Sequence, residues 1–323
     1  MLLAPLAAAR GPSAWPPQPA IVTPVDPLTM GTDDFTRLAD PALWDGLAVT
    51  RIEFRDDRTF WRVYRIINTR KPNGPLWFVP HDNENAAFQA AVDAARSYGG
   101  VAIAVEEARS LTGPDSRMNP DVAFGRPVDP NRNFRDDASA YARTILADLG
   151  SPARLIIALH TNQPGFDARE SDCAPPQPGA SGSGEISVLL CSDLYLPRPS
   201  VRADWPYDDT DSVAIVAFQS DRSPATGFCS RALAAADMNI MFERVAKSDG
   251  SLSNYALYRG LPYVNLETQD RGIDPAGLGN ARARLLGMID VVMARCAPIA
   301  GVALRPVAIP RPTPLHSKRK RRG

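Results

Sequence analysis

Short apolar runs recur along this chain, and turn residues followed by helix-compatible spacing separate several of them. Leu76-Trp77-Phe78-Val79 is apolar at every position and too short for a helix, the pattern of a strand buried on both faces. Ala86 to Tyr98 then puts Phe88, Val92 and Ala95 on one helical stripe and stops at Gly99-Gly100, where Val101 to Val105 begins the next run. Leu155 to Leu159, Val213 to Phe218 and Tyr263 to Leu266 read as further strands. Ser139 to Leu149, Arg231 to Val245 and Asn280 to Arg295 read as helices. Such alternation predicts an α/β fold with a mixed, largely parallel central sheet and helices on both faces. Val49 to Ile67 differs, alternating around Arg55-Asp56-Asp57-Arg58. It predicts a β-hairpin, with Ile52, Phe54, Trp61, Val63 and Tyr64 contributing a buried face.

Composition allows this architecture and excludes others. In 323 residues, 44% are hydrophobic and 22% charged, enough for a sizeable core. Lysine and arginine balance the acids at 36 each, so bulk charge predicts no specific nucleic-acid partner. No apolar stretch reaches the roughly 20 residues of a membrane span. The chain divides into a Pro/Ala/Thr-rich arm over 1–38, one domain over 39–305, and a Pro-rich tail over 306–323. That tail ends Ser317-Lys318-Arg319-Lys320-Arg321-Arg322, read as a solvated segment or as a contact for an anionic surface.

Two features bear on compartment. Leu2 to Ala9 looks like the hydrophobic half of an export signal without its basic start, so it is either a remnant signal segment or an apolar arm. Cys173 and Cys191 flank a Pro/Gly/Ser-rich insertion, Ala174 to Gly184. A bridge there would suit an oxidising compartment, whereas four reduced thiols would suit the cytosol. The expectation is a periplasmic or secreted protein, with the cytoplasm as the alternative.

Only three histidines occur, and two follow apolar runs. His81 opens His81-Asp82-Asn83-Glu84-Asn85, and His160 closes Leu155 to Leu159. Hydrolytic zinc sites commonly use three protein ligands and leave a fourth position open. His81, Glu84 and His160 supply two imidazoles and a carboxylate, which makes Zn2+ the expected cofactor. His81, His160 and Glu267 each come at or just after the end of an apolar run, where ligand sites of open α/β sheets collect.

Between the two histidines lies Val128-Asp129-Pro130-Asn131-Arg132-Asn133-Phe134. His-x-x-Glu after a strand, this Asp-x-Asn-Arg-Asn-aromatic run, a strand-terminal His and a late strand-terminal Glu together resemble the zinc carboxypeptidase (carboxypeptidase A-like) family. The resemblance spans about residues 75 to 270. Arg132 offers a planar fork for a substrate carboxylate, and Asn131 adds a directed amide. Glu267 would serve as general base. Asp129 would fix the tautomer of His81, a role the resemblance also implies.

The resemblance further implies an arginine for the oxyanion and a tyrosine on a mobile loop before the base. Arg109, Arg117 and Arg126 precede Asp129, and Arg117 is assigned the first role. Tyr255 and Tyr258 compete for the second, with Tyr255 preferred. Read singly, the residues also have structural explanations: a turn at Asp129-Pro130-Asn131-Arg132, a core histidine at 160, a salt bridge from Glu267 to Arg271.

The implied activity is zinc-dependent cleavage of the C-terminal amide of a peptide or peptide-like substrate with a free carboxylate, cell-wall peptides included. The alternatives are an N-acyl amino acid deacylase of the aspartoacylase and succinylglutamate desuccinylase type, and a non-catalytic binding protein on the same scaffold.

Overall fold

A computed structural model describes residues 18–56, 58–107, 116–135, 139–163, 186–202 and 204–300. At its centre β5 (Val101–Glu106), β4 (Leu76–Val79), β6 (Ile156–Asn162) and β10 (Tyr263–Gln269) run parallel in that spatial order. Every residue of β4, β5 and β6 is buried, as the uninterrupted apolar runs require of strands covered on both faces. The fold class is α/β with a mixed sheet. One flank is the antiparallel ribbon β3 (Thr59–Asn68), β2 (Leu47–Asp56) and β1 (Gln18–Val25); the other is β8 (Val213–Gln219), β9 (Ile240–Val245) and β7 (Tyr195–Arg198). Parallel pairing is confined to the central four strands and to β8–β9.

Alternation along each strand sends side chains to two cores. On one face Trp77, Ile157 and Val264 meet α2 (Asn85–Tyr98) and α6 (Pro275–Arg295) through Phe88, Val92, Leu285 and Met288. On the other, Phe78, Ala158 and Tyr263 meet α3 (Ala140–Ile145) and α5 (Leu252–Arg259) through Tyr141, Ile145, Leu252 and Ala256. Trp77 is fully buried, and its indole donates to the Gly99 carbonyl at 2.9 Å. Gly100 adopts φ +88°, and a Cβ there would stand 1.9 Å from the Pro75 carbonyl oxygen. The Gly-Gly pair therefore ends α2 and lets β4 and β5 start side by side.

Three expectations need correction. Arg231 to Val245 is not one helix: α4 (Ser230–Ala235) ends before Asp237 at φ 54°, and Ile240–Val245 forms β9. Asp237 is held there by Ser200 Oγ, which donates to it at 2.8 Å. Helical spacing in the Ala-rich half masked a short apolar run that pairs with β8. The arm expected over 1–38 is not free in its described part, because β1 pairs with β2 and Phe35, in α1 (Asp33–Thr36), is buried against Trp44, Tyr64 and Phe88. Tyr64 is buried, but it faces the core opposite Ile52, Phe54, Trp61 and Val63.

A disulfide joins Cys229, at the start of α4, to Cys296, just past α6. Cys191 is also disulfide-bonded, while Cys173 and the insertion Ala174 to Gly184 lie outside the described residues. The apolar segment Leu2 to Ala9, Arg109 and the basic tail lie outside them too. No helix among the described residues is long and apolar enough to cross a membrane.

Candidate functional site

The sheet brings His81, Glu84 and His160 together although 79 positions separate the two histidines (160 − 81). His81 follows β4 by two residues, Glu84 occupies the position just before α2, and His160 lies in β6 beside β4. One ligand atom from each lies within 4.8 Å of the others, and all three side chains are buried. His81 Nδ1 stands 2.6 Å from Glu84 Oε1, and His160 Nδ1 stands 3.1 Å from Glu84 Oε2. The Thr161 backbone N–H donates to Glu84 Oε2 at 3.0 Å, and Arg117 Nη1 donates to Oε1 at 3.2 Å.

Asp129 Oδ1 is 3.0 Å from His81 Nε2 and also accepts the Asn131 N–H at 2.7 Å, capping the 3₁₀ turn Pro130–Arg132. The turn reading of this segment and its contact with His81 are thus both realised. A carboxylate only accepts, so a neutral His81 with its single proton on Nε2 donates to Asp129. In the neutral imidazole, Nδ1 would then turn a lone pair towards Glu84 Oε1, two acceptors at 2.6 Å. That arrangement is stable only with a second proton or a cation between them.

The electrostatics agree. Burial would strip His81 of its proton, but the Glu84 charge and hydrogen bonds to Asp129 and Glu84 hold its pKa above the ordinary 6.5. Burial would likewise raise Glu84, yet His81 and His160 hold it well below the usual carboxylate range. Nε2 of His160 is buried without a hydrogen-bond partner. Two nitrogens and a carboxylate converging at a buried point are a donor set suited to zinc.

Glu267 lies in β10 and is the Cα partner of His160 across the parallel pair, so both side chains leave the same face of the sheet. It is buried, and Asn265 Nδ2 donates to its Oε1 at 2.7 Å. Its expected salt-bridge rival, Arg271, is paired with Asp209 instead. Arg132 forms an ion pair with Asp249 at 3.1 Å, with both side chains nearly half exposed. Asn131 Oδ1 accepts the Leu252 N–H at the start of α5 at 3.3 Å. Gly250, at φ +88°, packs so closely that a Cβ would stand 2.6 Å from the Arg132 carbonyl oxygen. Asn131, Arg132 and the 249–252 turn therefore form one built unit.

Of the arginines before Asp129 that are described, Arg117 reaches Glu84, whereas the Arg126 carbonyl accepts from Arg58. Tyr255 is in helix α5 and not on a loop. Its ring packs on Phe134 at 6.0 Å and under the Arg259 guanidinium at 5.3 Å. Tyr258 is buried. Two contributors were missed from the sequence, Thr161 and Asn265. The period-2 rule could have found Asn265, which shares its strand face with Glu267; a backbone N–H at position 161 leaves no side-chain signal.

No protein-family model matches the chain, and no curated protein does. Among solved structures it is similar to a succinylglutamate desuccinylase from a Silicibacter species, with 12% identity and TM-score 0.38 over 89% of this chain and 73% of that one. It is similar to a candidate metallopeptidase from Shewanella denitrificans, with 13% identity and TM-score 0.43 over 91% of this chain and 100% of that one. A succinylglutamate desuccinylase/aspartoacylase from Rhodobacter sphaeroides shows 14% identity and TM-score 0.37 over 77% of this chain and 66% of that one. At this level the likeness is one of chain trace, and the site stands on this chain's own geometry.

Proposed function

We propose that this chain is a zinc-dependent hydrolase that releases the C-terminal residue of a peptide or peptide-like substrate. The observation that carries the reading is the buried convergence of His81 Nδ1 and His160 Nδ1 on the Glu84 carboxylate, with His81 Nε2 already engaged by Asp129. His81, Glu84 and His160 would hold the metal. Bound there, zinc supplies a polarised carbonyl and an acidified water.

The remaining roles belong to the chain's own side chains. Glu267, anchored by Asn265, accepts a proton from the attacking water and returns it to the leaving nitrogen. Asp129 keeps His81 in the tautomer whose Nδ1 is free to coordinate. Arg132 takes the substrate carboxylate. Its half-exposed pair with Asp249 is worth at most about 1 kcal/mol, so exchanging that partner for a bidentate substrate carboxylate is favourable. The Asn131 amide group supplements it, and Arg117 at the rim offsets charge growing on the carbonyl oxygen. The Cys229–Cys296 bridge supports a periplasmic or secreted location.

Elemental analysis of the purified chain beside a His81→Ala variant tests the reading. About one zinc per chain in the parent and almost none in the variant is expected. Absence of zinc after reconstitution would sink the proposal. Blocked dipeptides, N-acetyl amino acids and N-succinyl amino acids then decide the substrate. Cleavage of the dipeptides alone supports a carboxypeptidase, and cleavage of the acyl amino acids alone supports a deacylase.

A further inference from the structure

A cavity of about 460 Å³ lies on the sheet face that carries His160 and Glu267, but at the other end of the strands. β8 and β10 are antiparallel, so β8 finishes where β10 starts, and Ala217, Gln219 and Tyr263 line the cavity there. Tyr263 stands four residues before Glu267, about 13 Å along β10. None of His81, Glu84, His160 or Glu267 lines this space, which is therefore separate from the metal cluster.

Backbone packing fixes its walls. On one side the turn at Gly227 lies so close to β8 that a Cβ would stand 2.6 Å from Val216 Cγ1. Cys229, next after the cavity residue Phe228, is bridged to Cys296 beyond α6. On the other side Ser253, Leu257 and Gly260 are spaced as one helical stripe of α5. Gly260, at φ +64°, turns the chain so that the Leu261 N–H donates back to the Ala256 carbonyl at 2.9 Å. Phe228, Leu257 and Leu261 are only half-buried, so the walls present apolar side chains to the space between them.

The polar groups divide by what they still have to offer. Both hydroxyls have spent their protons on the protein: Ser253 Oγ donates to Glu243 at 2.6 Å and Thr226 Oγ1 to the Ser223 carbonyl at 2.7 Å. Arg222 is the one charged side chain among the described residues that line the cavity. Its nearest carboxylate is the neighbouring Asp221, 3.9 Å away with both side chains largely exposed, a pair too loose to engage the guanidinium fork. Among the described residues neither Arg222 nor the Gln219 amide makes a side-chain hydrogen bond. An apolar chamber of this volume is in the range of small-molecule sites, and the donors left at it call for an anion.

We infer that this cavity binds a monocarboxylate with an apolar chain, the chain seated against Phe228, Leu257 and Leu261 and the carboxylate held by Arg222 with Gln219 beside it. Calorimetry on the purified full chain with decanoate, decanol and decylamine tests this. One saturable site for decanoate is expected, with decylamine about tenfold weaker, since an exposed charge attracts one head group and repels the other. Shortening the acid to octanoate should cost about 15-fold, which is roughly fourfold for each methylene no longer buried. Arg222→Glu, a change at an exposed position, should reverse the order of acid and amine. Leu257→Trp should fill the chamber and abolish binding of all three, with the thermal transition showing that the variant is folded.

Equal affinity for decanoate and decylamine, or no saturable binding of decanoate, would overturn the inference. So would decanoate binding that neither variant changes, because a carboxylate taken up at the metal cluster would be blind to both.

Discussion

Glu267 and His160 are Cα partners across the parallel strands β6 and β10, one strand spacing apart on the same face of the sheet. The proposed base is thereby tied to a proposed ligand through backbone pairing and not through a loop. Parallel register permits no slip of a single residue without turning both side chains to the opposite face.

Glu267→Gln should therefore separate catalysis from assembly. The amide oxygen can still accept from Asn265 Nδ2, so the strand and the metal content should be unchanged. Turnover should drop about 10²–10⁴-fold, the usual range for loss of a positioned general base. Steady-state kinetics beside elemental analysis checks it. Loss of metal together with activity would count against the assigned role.

Asp129→Asn should keep the cap on the Pro130–Arg132 turn, because asparagine also accepts the Asn131 N–H. It removes the charge that faces His81 Nε2. Zinc affinity should fall about 10–100-fold, the usual effect of losing a partner of a metal-bound histidine. Competition with a chromophoric chelator measures it, and an unchanged affinity would remove Asp129 from the site.

Acidification should weaken metal binding from a higher pH than an ordinary histidine would. His81 is held above 6.5, so proton and metal compete for Nδ1 as soon as pH falls through that raised value. The affinity is full above it and declines by about tenfold per pH unit for each proton displaced. In the metal-free protein the sign reverses. A raised histidine pKa stabilises the fold fully below the unfolded value, and that contribution is lost as pH rises through the folded one. The zinc-dependent increase in Tm should shrink as pH is lowered from 8 towards 6, which differential scanning calorimetry would show.

Replacing Cys229 and Cys296 by alanine should lower stability by about 4 kcal/mol, as expected for opening a loop whose ends are 67 residues apart. Urea unfolding of parent and variant would measure it. The bridge lies at α4 and α6, away from the metal cluster, so the zinc content of the folded variant should equal that of the parent.

By itself the sequence determined the central strands, because runs such as Leu76–Val79 and Leu155–Leu159 are apolar on every residue and have no alternative to burial on both faces. It also determined the C-terminal end of α2, where Gly99 and Gly100 meet a backbone that tolerates no Cβ. The proposed ligands His81, Glu84 and His160 were legible as candidates from residue chemistry and from their places near the ends of apolar runs. What lay beyond reach depended on pairing between distant segments. Residues 231–245 carry helix-forming alanines beside a strand that pairing with β8 and β7 selects, so local propensity was overruled by the sheet. The Arg132–Asp249 ion pair and the pairing that sets Glu267 beside His160 exist only once distant segments are brought together. Which side chains face one another across strands is decided by the tertiary structure, because a strand's own alternation says which residues share a face and not which partner that face will meet.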